Sequence, residues 1–123
     1  MIQLSTRVRA TGACLILLAG FAQAARAAEA DKAPTGQELA FDNRKGNCLA
    51  CHMMPGEPKA ISSSNIGPPL IAMRERFPDR AKLYAQVWDA SKSNADSLMP
   101  PFGKHKILSE AEINTVVDYI HGL

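Results

Sequence analysis

Cys48-Leu49-Ala50-Cys51-His52 places two thiols and an imidazole within five residues. Side chains at i, i+3 and i+4 share one side of a helical turn. Two sulfurs so placed reach the two vinyl groups on one edge of a porphyrin and form thioethers. The histidine then lies against the iron. Cys-x-x-Cys-His is the attachment signature of a c-type haem. It predicts one covalently bound haem c per chain, held by Cys48 and Cys51, with His52 as the proximal iron ligand. Two other chemistries use parts of the pattern. A thioredoxin-like dithiol requires a surrounding βαβ arrangement, and none is visible. A zinc site requires four ligands, and beyond these three residues the chain offers only the distant His105 and His121.

The iron also takes a distal ligand, for which Met53, Met54, Met73, Met99, His105 and His121 are the candidates. Met53 and Met54 adjoin His52 and stay on its side of the ring. Met73 is close to a helix start and has no clear direction. Met99 is 47 residues beyond His52, enough chain to reach the opposite face. It heads Met99-Pro100-Pro101-Phe102-Gly103, where two prolines leave the loop little entropy to lose. Met99 is therefore the favoured ligand and His105 the next. His121, in a last helical turn, suits the helix C-terminus. A thioether opposite an imidazole raises the iron potential. With both axial positions filled, the iron suits electron transfer and leaves no position for oxygen or substrate.

Around His52 the sequence also suggests supporting groups. Asn65-Ile66-Gly67-Pro68-Pro69-Leu70 belongs on the proximal side. A carbonyl at Pro68 or Pro69, with Pro68 assigned, accepts the Nδ1 proton of His52 and sets its orientation and basicity. Arg74, Arg76, Tyr84 and Trp88 are candidates to reach the haem propionates.

These residues need helices to position them. A helical stretch runs from Gly36 through Leu39, Ala40 and Phe41 toward Lys45, and Gly46 interrupts it. Residues 53–69 hold four prolines and two glycines and read as a long loop covering one haem face. Asp79 to Ala90 repeats apolar residues at Leu83, Val87 and Ala90. Residues 91–106 return to loop. Ser109-Glu110-Ala111-Glu112 is a capping box that opens the last helix. Ile113, Val116, Val117 and Ile120 then form one apolar stripe, and Gly122 ends it. That stripe is core, packed across the Gly36–Lys45 stretch. No segment alternates at period two. An all-α fold of three to four helices with long loops is expected.

The N-terminal segment reads as an export signal. Arg7 and Arg9 precede the apolar run Ala13–Ala22, and Ala22-Gln23-Ala24 and Ala25-Arg26-Ala27 are both small-x-small cleavage sites. The expected organisation is a signal peptide at 1–27, a flexible arm at 28–35 and one domain at 36–123. Cys14 stands at the start of the apolar run instead of ending it, so a lipid anchor is not expected, and no later segment is long enough to span a membrane. Covalent haem attachment follows translocation, which points to the periplasm. The formal charge of +2 includes Arg7, Arg9 and Arg26; without them 11 Lys and Arg face 12 Asp and Glu. Nucleic-acid binding is disfavoured. Once Cys48 and Cys51 are thioethers, and Cys14 has left with the signal, no thiol remains for nucleophilic chemistry.

Arg44-Lys45-Gly46-Asn47 before Cys48, Asn65-Ile66-Gly67-Pro68-Pro69-Leu70, and Met99-Pro100-Pro101-Phe102-Gly103 with Ile107-Leu108-Ser109 and Glu112-Ile113 together resemble SoxX. That family is the small monohaem cytochrome c of bacterial sulfur oxidation. The resemblance covers residues 36–123. It implies a class I cytochrome c fold with His52 and Met99 as axial ligands. It also implies a periplasmic heterodimer with a SoxA-like haem protein, acting as an L-cysteine S-thiosulfotransferase. That pair couples thiosulfate oxidatively to a cysteine of a SoxYZ-like carrier and passes two electrons to a downstream cytochrome. This chain would be the subunit without the nucleophile. The alternative is a free-standing periplasmic electron carrier. One departure stands out. Phe41 lies seven residues before Cys48, not four, so the usual aromatic contact between terminal helices is not carried over.

Overall fold

The computed structural model describes residues 32–61 and 64–123; the signal segment, residues 28–31 of the arm, Ser62 and Ser63 lie outside the described residues. Pro34–Leu123 forms one unit. It contains α1 (Gly36–Phe41), a 3-10 turn (Cys48–Ala50), α2 (Met73–Arg76), α3 (Arg80–Trp88), a 3-10 turn (Ala90–Lys92) and α4 (Glu110–His121). No strand occurs among the described residues.

The last helix organises the others. Ser109 and Glu112 form the reciprocal capping box, and Gly122 closes the C-terminus. Ile113, Val116, Val117 and Ile120 are all buried, as their spacing predicts. Each such side chain contributes about 1.5–3 kcal/mol relative to exposure. Helices α1 and α3 both pack on α4. Gly36 sits where α1 crosses, because a Cβ there would overlap the Thr115 carbonyl and Tyr119. Arg80 at the start of α3 donates from Nε to Asp118 (2.6 Å) and from Nη2 to the Asn114 carbonyl (3.0 Å). The short α2 reaches the chain end through Met73 N–H, which donates to the Leu123 carbonyl (3.1 Å).

Helix α1 is shorter than the periodicity suggests. Thr35 and Glu38 cap it, and it ends at Phe41. Asp42 adopts an extended conformation (φ −67°, ψ 115°), and its Oδ1 accepts the Arg44 N–H at 2.8 Å. That local turn competes with a further helical turn. The chain then closes with Gly46 N–H on the Leu39 carbonyl at 3.0 Å. The aromatic contact that the Phe41–Cys48 spacing left unassigned is present. Phe41 meets Tyr119 edge-on, with ring centroids 6.5 Å apart at 77°. The turn after Phe41 absorbs the three extra residues before Cys48, so the aromatic contact survives the change in spacing.

Helix α3 begins after Asp79, whose carboxylate accepts the Ala81 N–H. It stops at Trp88 because Asp89 leaves helical space (φ −159°, ψ 88°) and caps the following 3-10 turn. Leu83, Val87 and Ala90 are buried, although Ala90 belongs to that next turn. Helix α2 begins at Met73, where the sequence places a nearby helix start, and lasts a single turn. The loop after His52 is tied to two helices through Glu57, which accepts from Gln37 Nε2 (2.6 Å) and Tyr119 Oη (3.1 Å). Hydrogen bonds, the Lys59 N–H first, hold the Glu57 carboxyl below its ordinary range. Burial, then the bond to Glu57, pushes Tyr119 up to about 12.

Candidate functional site

The helices leave a cavity of about 750 Å³ lined by Cys48, Cys51, His52, Gly67, Pro68 and Met99, over an apolar floor that includes Leu83, Val87 and Phe102. Pockets that enclose a cofactor run from about 300 to 1,000 Å³. The cysteines enter on a single 3-10 turn in which Cys51 N–H (3.2 Å) and His52 N–H (2.9 Å) both donate to the Cys48 carbonyl. Asn47 precedes it in the left-handed region (φ 46°), a conformation that asparagine tolerates well. One tight turn therefore presents both sulfurs and the imidazole to one space. Burial pushes the Cys48 thiol up to about 11, so that before any attachment it is protonated at neutral pH.

His52 is held from behind. Its Nδ1 lies 2.6 Å from the Pro68 carbonyl, which can only accept, so Nδ1 carries the proton and Nε2 the lone pair. Gly67 packs flat on the ring, where any Cβ would overlap it. Gly67 N–H donates to the Cys51 carbonyl and Leu70 N–H to the Met53 carbonyl, both at 2.8 Å. These contacts suit an imidazole that must keep one orientation toward a metal.

Met99, which also lines the cavity, is half-buried against the core. Its N–H reaches Ser97 Oγ at 3.2 Å. Behind it, Phe102 is buried, and its carbonyl accepts from Ile107 (2.9 Å) and Leu108 (3.1 Å). Gly103 N–H donates to the Trp88 carbonyl at 3.1 Å, and the indole of Trp88 occupies the place of a Gly103 Cβ. Lys104 Nζ pairs with Asp89 at 3.3 Å. Asp89 is 2% exposed, and hydrogen bonds from Ser91 and then Lys104 hold its carboxyl below the ordinary range.

The other ligand candidates divide clearly. Met73 is buried and lines the cavity, with its sulfur 3.3 Å from Arg76 Nη1. Met54 is buried in the core, near Tyr119 Oη. His105 is exposed and outside the lining; His121 instead places Nε2 2.9 Å from the Phe77 carbonyl. Of the four propionate candidates, only Arg76 lines the cavity. Tyr84 and Trp88 stack on each other, with centroids 5.9 Å apart, in a packing role, the alternative to a propionate contact. Arg74 is exposed and also outside the lining. The support of Gly67 and the Asp89–Lys104 pair escaped sequence reading. Each joins residues far apart in the chain and has no local spacing signal.

The fold and cavity define a c-type cytochrome domain. Residues 31–120 match the family described as cytochrome c oxidase, cbb3-type, subunit III, and the chain belongs to that family. Its fold is the class I cytochrome c fold, and its cofactor is covalently bound haem c. Within that class it is a SoxX-like monohaem cytochrome. The crystal structure of SoxXA from P. pantotrophus is similar with a TM-score of 0.63 and 26% identity, over 72% of this chain and 82% of that one. An uncharacterized lipoprotein of Aquifex aeolicus (strain VF5) is 35% identical over 79 residues, which are 64% of this chain and 37% of the relative. The chain thus spans little more than a third of that protein's length. No helix among the described residues is long and apolar enough to cross a membrane.

Proposed function

We propose that this chain is the electron-transfer haem subunit of a periplasmic heterodimeric L-cysteine S-thiosulfotransferase, with a SoxA-like haem protein as its partner and a SoxYZ-like carrier as substrate. The observation that carries the reading is the convergence of Cys48, Cys51, His52 and Met99 on one cavity. Cys48 and Cys51 would hold the haem as thioethers, and His52 and Met99 would supply the ligands to its iron. The bound haem supplies a one-electron relay. The Pro68 carbonyl keeps His52 Nδ1 protonated and its ring oriented. Coupling thiosulfate to a carrier cysteine releases two electrons, which pass onward to a downstream cytochrome. The chain has three cysteines, one of them in the signal segment, so the sulfur-carrying nucleophile belongs to the partner. Similarity to SoxXA supports the heterodimer. The organisation as signal peptide 1–27, arm 28–35 and domain 36–123 belongs to the same reading, as does export to the periplasm.

Native pull-down followed by haem staining tests the partner. The expected result is a second haem protein and thiosulfate-dependent activity that needs both chains. The alternative reading is a free-standing periplasmic carrier that uses the same haem with other partners. A chain that runs alone at all concentrations and still reduces its physiological acceptor would establish that reading instead. Met99→Ala is expected to lower the potential and admit carbon monoxide to the ferrous protein. An unchanged spectrum would assign the distal ligand elsewhere.

A further inference from the structure

Between the tied ends at Gly67 and Leu70 lie two residues with no N–H, Pro68 and Pro69. Neither can donate, so the Pro68–Pro69 peptide is held only through the Pro68 carbonyl, whereas the Pro69–Leu70 peptide is held from both ends, by its carbonyl and by the Leu70 N–H on the Met53 carbonyl at 2.8 Å. The Pro68 carbonyl faces His52 Nδ1 at 2.6 Å. The Pro69 carbonyl accepts from Arg76 Nη1, also at 2.6 Å. Arg76 closes α2, where its own N–H donates to the Ala72 carbonyl at 3.1 Å. Ala72 enters that helix in the left-handed region (φ 51°), a conformation a non-glycine residue adopts only when its surroundings enforce it. The helix is anchored in turn by Met73, which is buried and bonded to the chain end. Arg76 thus joins a fixed element to the one carbonyl beside the His52 acceptor.

We propose that Arg76 is a positioning residue for His52. By holding the Pro69 carbonyl it immobilises the Pro68–Pro69 strap and keeps the Pro68 carbonyl on Nδ1. This rests on the reading of His52 as the proximal ligand. A guanidinium donor makes a charge-assisted bond to the carbonyl, stronger than a neutral one. Its planar fork also reaches the Met73 sulfur with the same nitrogen, at 3.3 Å. A lysine keeps the charge but not the planar geometry. Loss of the strap's hold would let water compete for Nδ1, make the imidazole a weaker donor to iron and raise the potential.

The test follows the Nδ1 proton of His52 by NMR in the reduced holoprotein. Arg76→Ala is expected to accelerate its exchange with solvent about tenfold or more, the scale of one lost hydrogen bond. Arg76→Lys is expected to give a smaller acceleration and a raised midpoint potential, since the positive charge is retained. Arg80→Ala, which removes another arginine ion pair on a different helix, is expected to leave exchange unchanged. Wild-type exchange in both Arg76 variants would overturn the proposal, as would equal acceleration in Arg80→Ala. The wild-type spectrum separates this from the underlying reading. If His52 ring protons lack the ring-current shift of an axial ligand, the His52 assignment falls and Arg76 with it. If that shift is present and the exchange does not respond, only the Arg76 role falls.

Discussion

Behind His52 the chain is held by backbone carbonyls and by the absence of a side chain; around Met99 it is held by a buried carboxylate and an indole. The strap at residues 66–70 has Gly67 flat on the imidazole and Pro68 on its Nδ1. None of its own side chains titrates. The Met99 loop is fastened at its far end to the C-terminus of α3, through Gly103 on Trp88 and Lys104 on Asp89. The side of His52 is therefore set by shape and by a guanidinium that stays charged, with no titrating group in the strap itself. The distal side depends on a charge. In a protein that relays electrons, the two sides need different tolerances. Under the proposed ligation the His52 imidazole must not turn, whereas the loop carrying the Met99 thioether has to be delivered from 47 residues away.

The largest expected effect comes from giving the strap a side chain. Gly67→Ala forces a Cβ into the His52 ring, so the ring must turn or the strap must retreat. A loss of about 1–3 kcal/mol in stability is expected from overpacking alone, together with a changed proximal spectrum in the haem protein. Denaturant unfolding and absorption spectra check both. A normal spectrum at wild-type stability would break the contrast, since the strap would then have slack.

Gly103→Ala is the matching change on the other side. It drives a Cβ into the Trp88 indole, with a similar expected cost of about 1–3 kcal/mol. Its spectral consequence is expected at the methionine–iron charge-transfer band, with the His52 Nδ1 proton unaffected. If instead the proximal signal moves, the two sides are one mechanical unit.

The pH response comes next. The folded-state pKa of Asp89 is lowered, so its contribution is present above the ordinary carboxylate value of about 3.9 and is lost as pH falls through the lowered value. Acid is therefore expected to weaken the Met99 loop at that carboxylate, while the strap has no group to respond. Asp89→Asn is expected to remove this part of the acid dependence of the methionine–iron band. An acid profile identical to wild type would locate the sensitivity at another carboxylate, with Glu57 the next candidate because its pKa is also lowered.

The smallest effect serves as a reference. Ser109→Ala removes the α4 cap at a cost of about 1 kcal/mol, outside the lining of the cavity. Melting is expected to move without any change at His52 or Met99. A spectral change here would mean that general loosening imitates the site-specific effects.

Much of the site was legible because it is local. Cys48, Cys51 and His52 fall on one turn through spacing alone. Ser109, Glu112 and the stripe from Ile113 to Ile120 mark α4 by capping and period. Met99 was legible as a candidate through its prolines and its distance along the chain, and the fold brings it to the cavity. The early end of α1 was not legible, because the Asp42 side chain competes with the helix on nearly equal terms. The contact of Phe41 with Tyr119 was not legible for a related reason: counting residues to Cys48 assumes a fixed path, and the turn at Asp42 shortens it.

By itself the sequence determined a haem attachment turn, a terminal core helix and an all-α chain, since each follows from covalent spacing or helical period. Only the tertiary structure decided that Gly67 lies on the imidazole, that Arg76 takes the Pro69 carbonyl and that Asp89 holds Lys104. Those contacts join segments separated by loops. Loop paths are set by the sum of many weak interactions, and no local pattern records where they end.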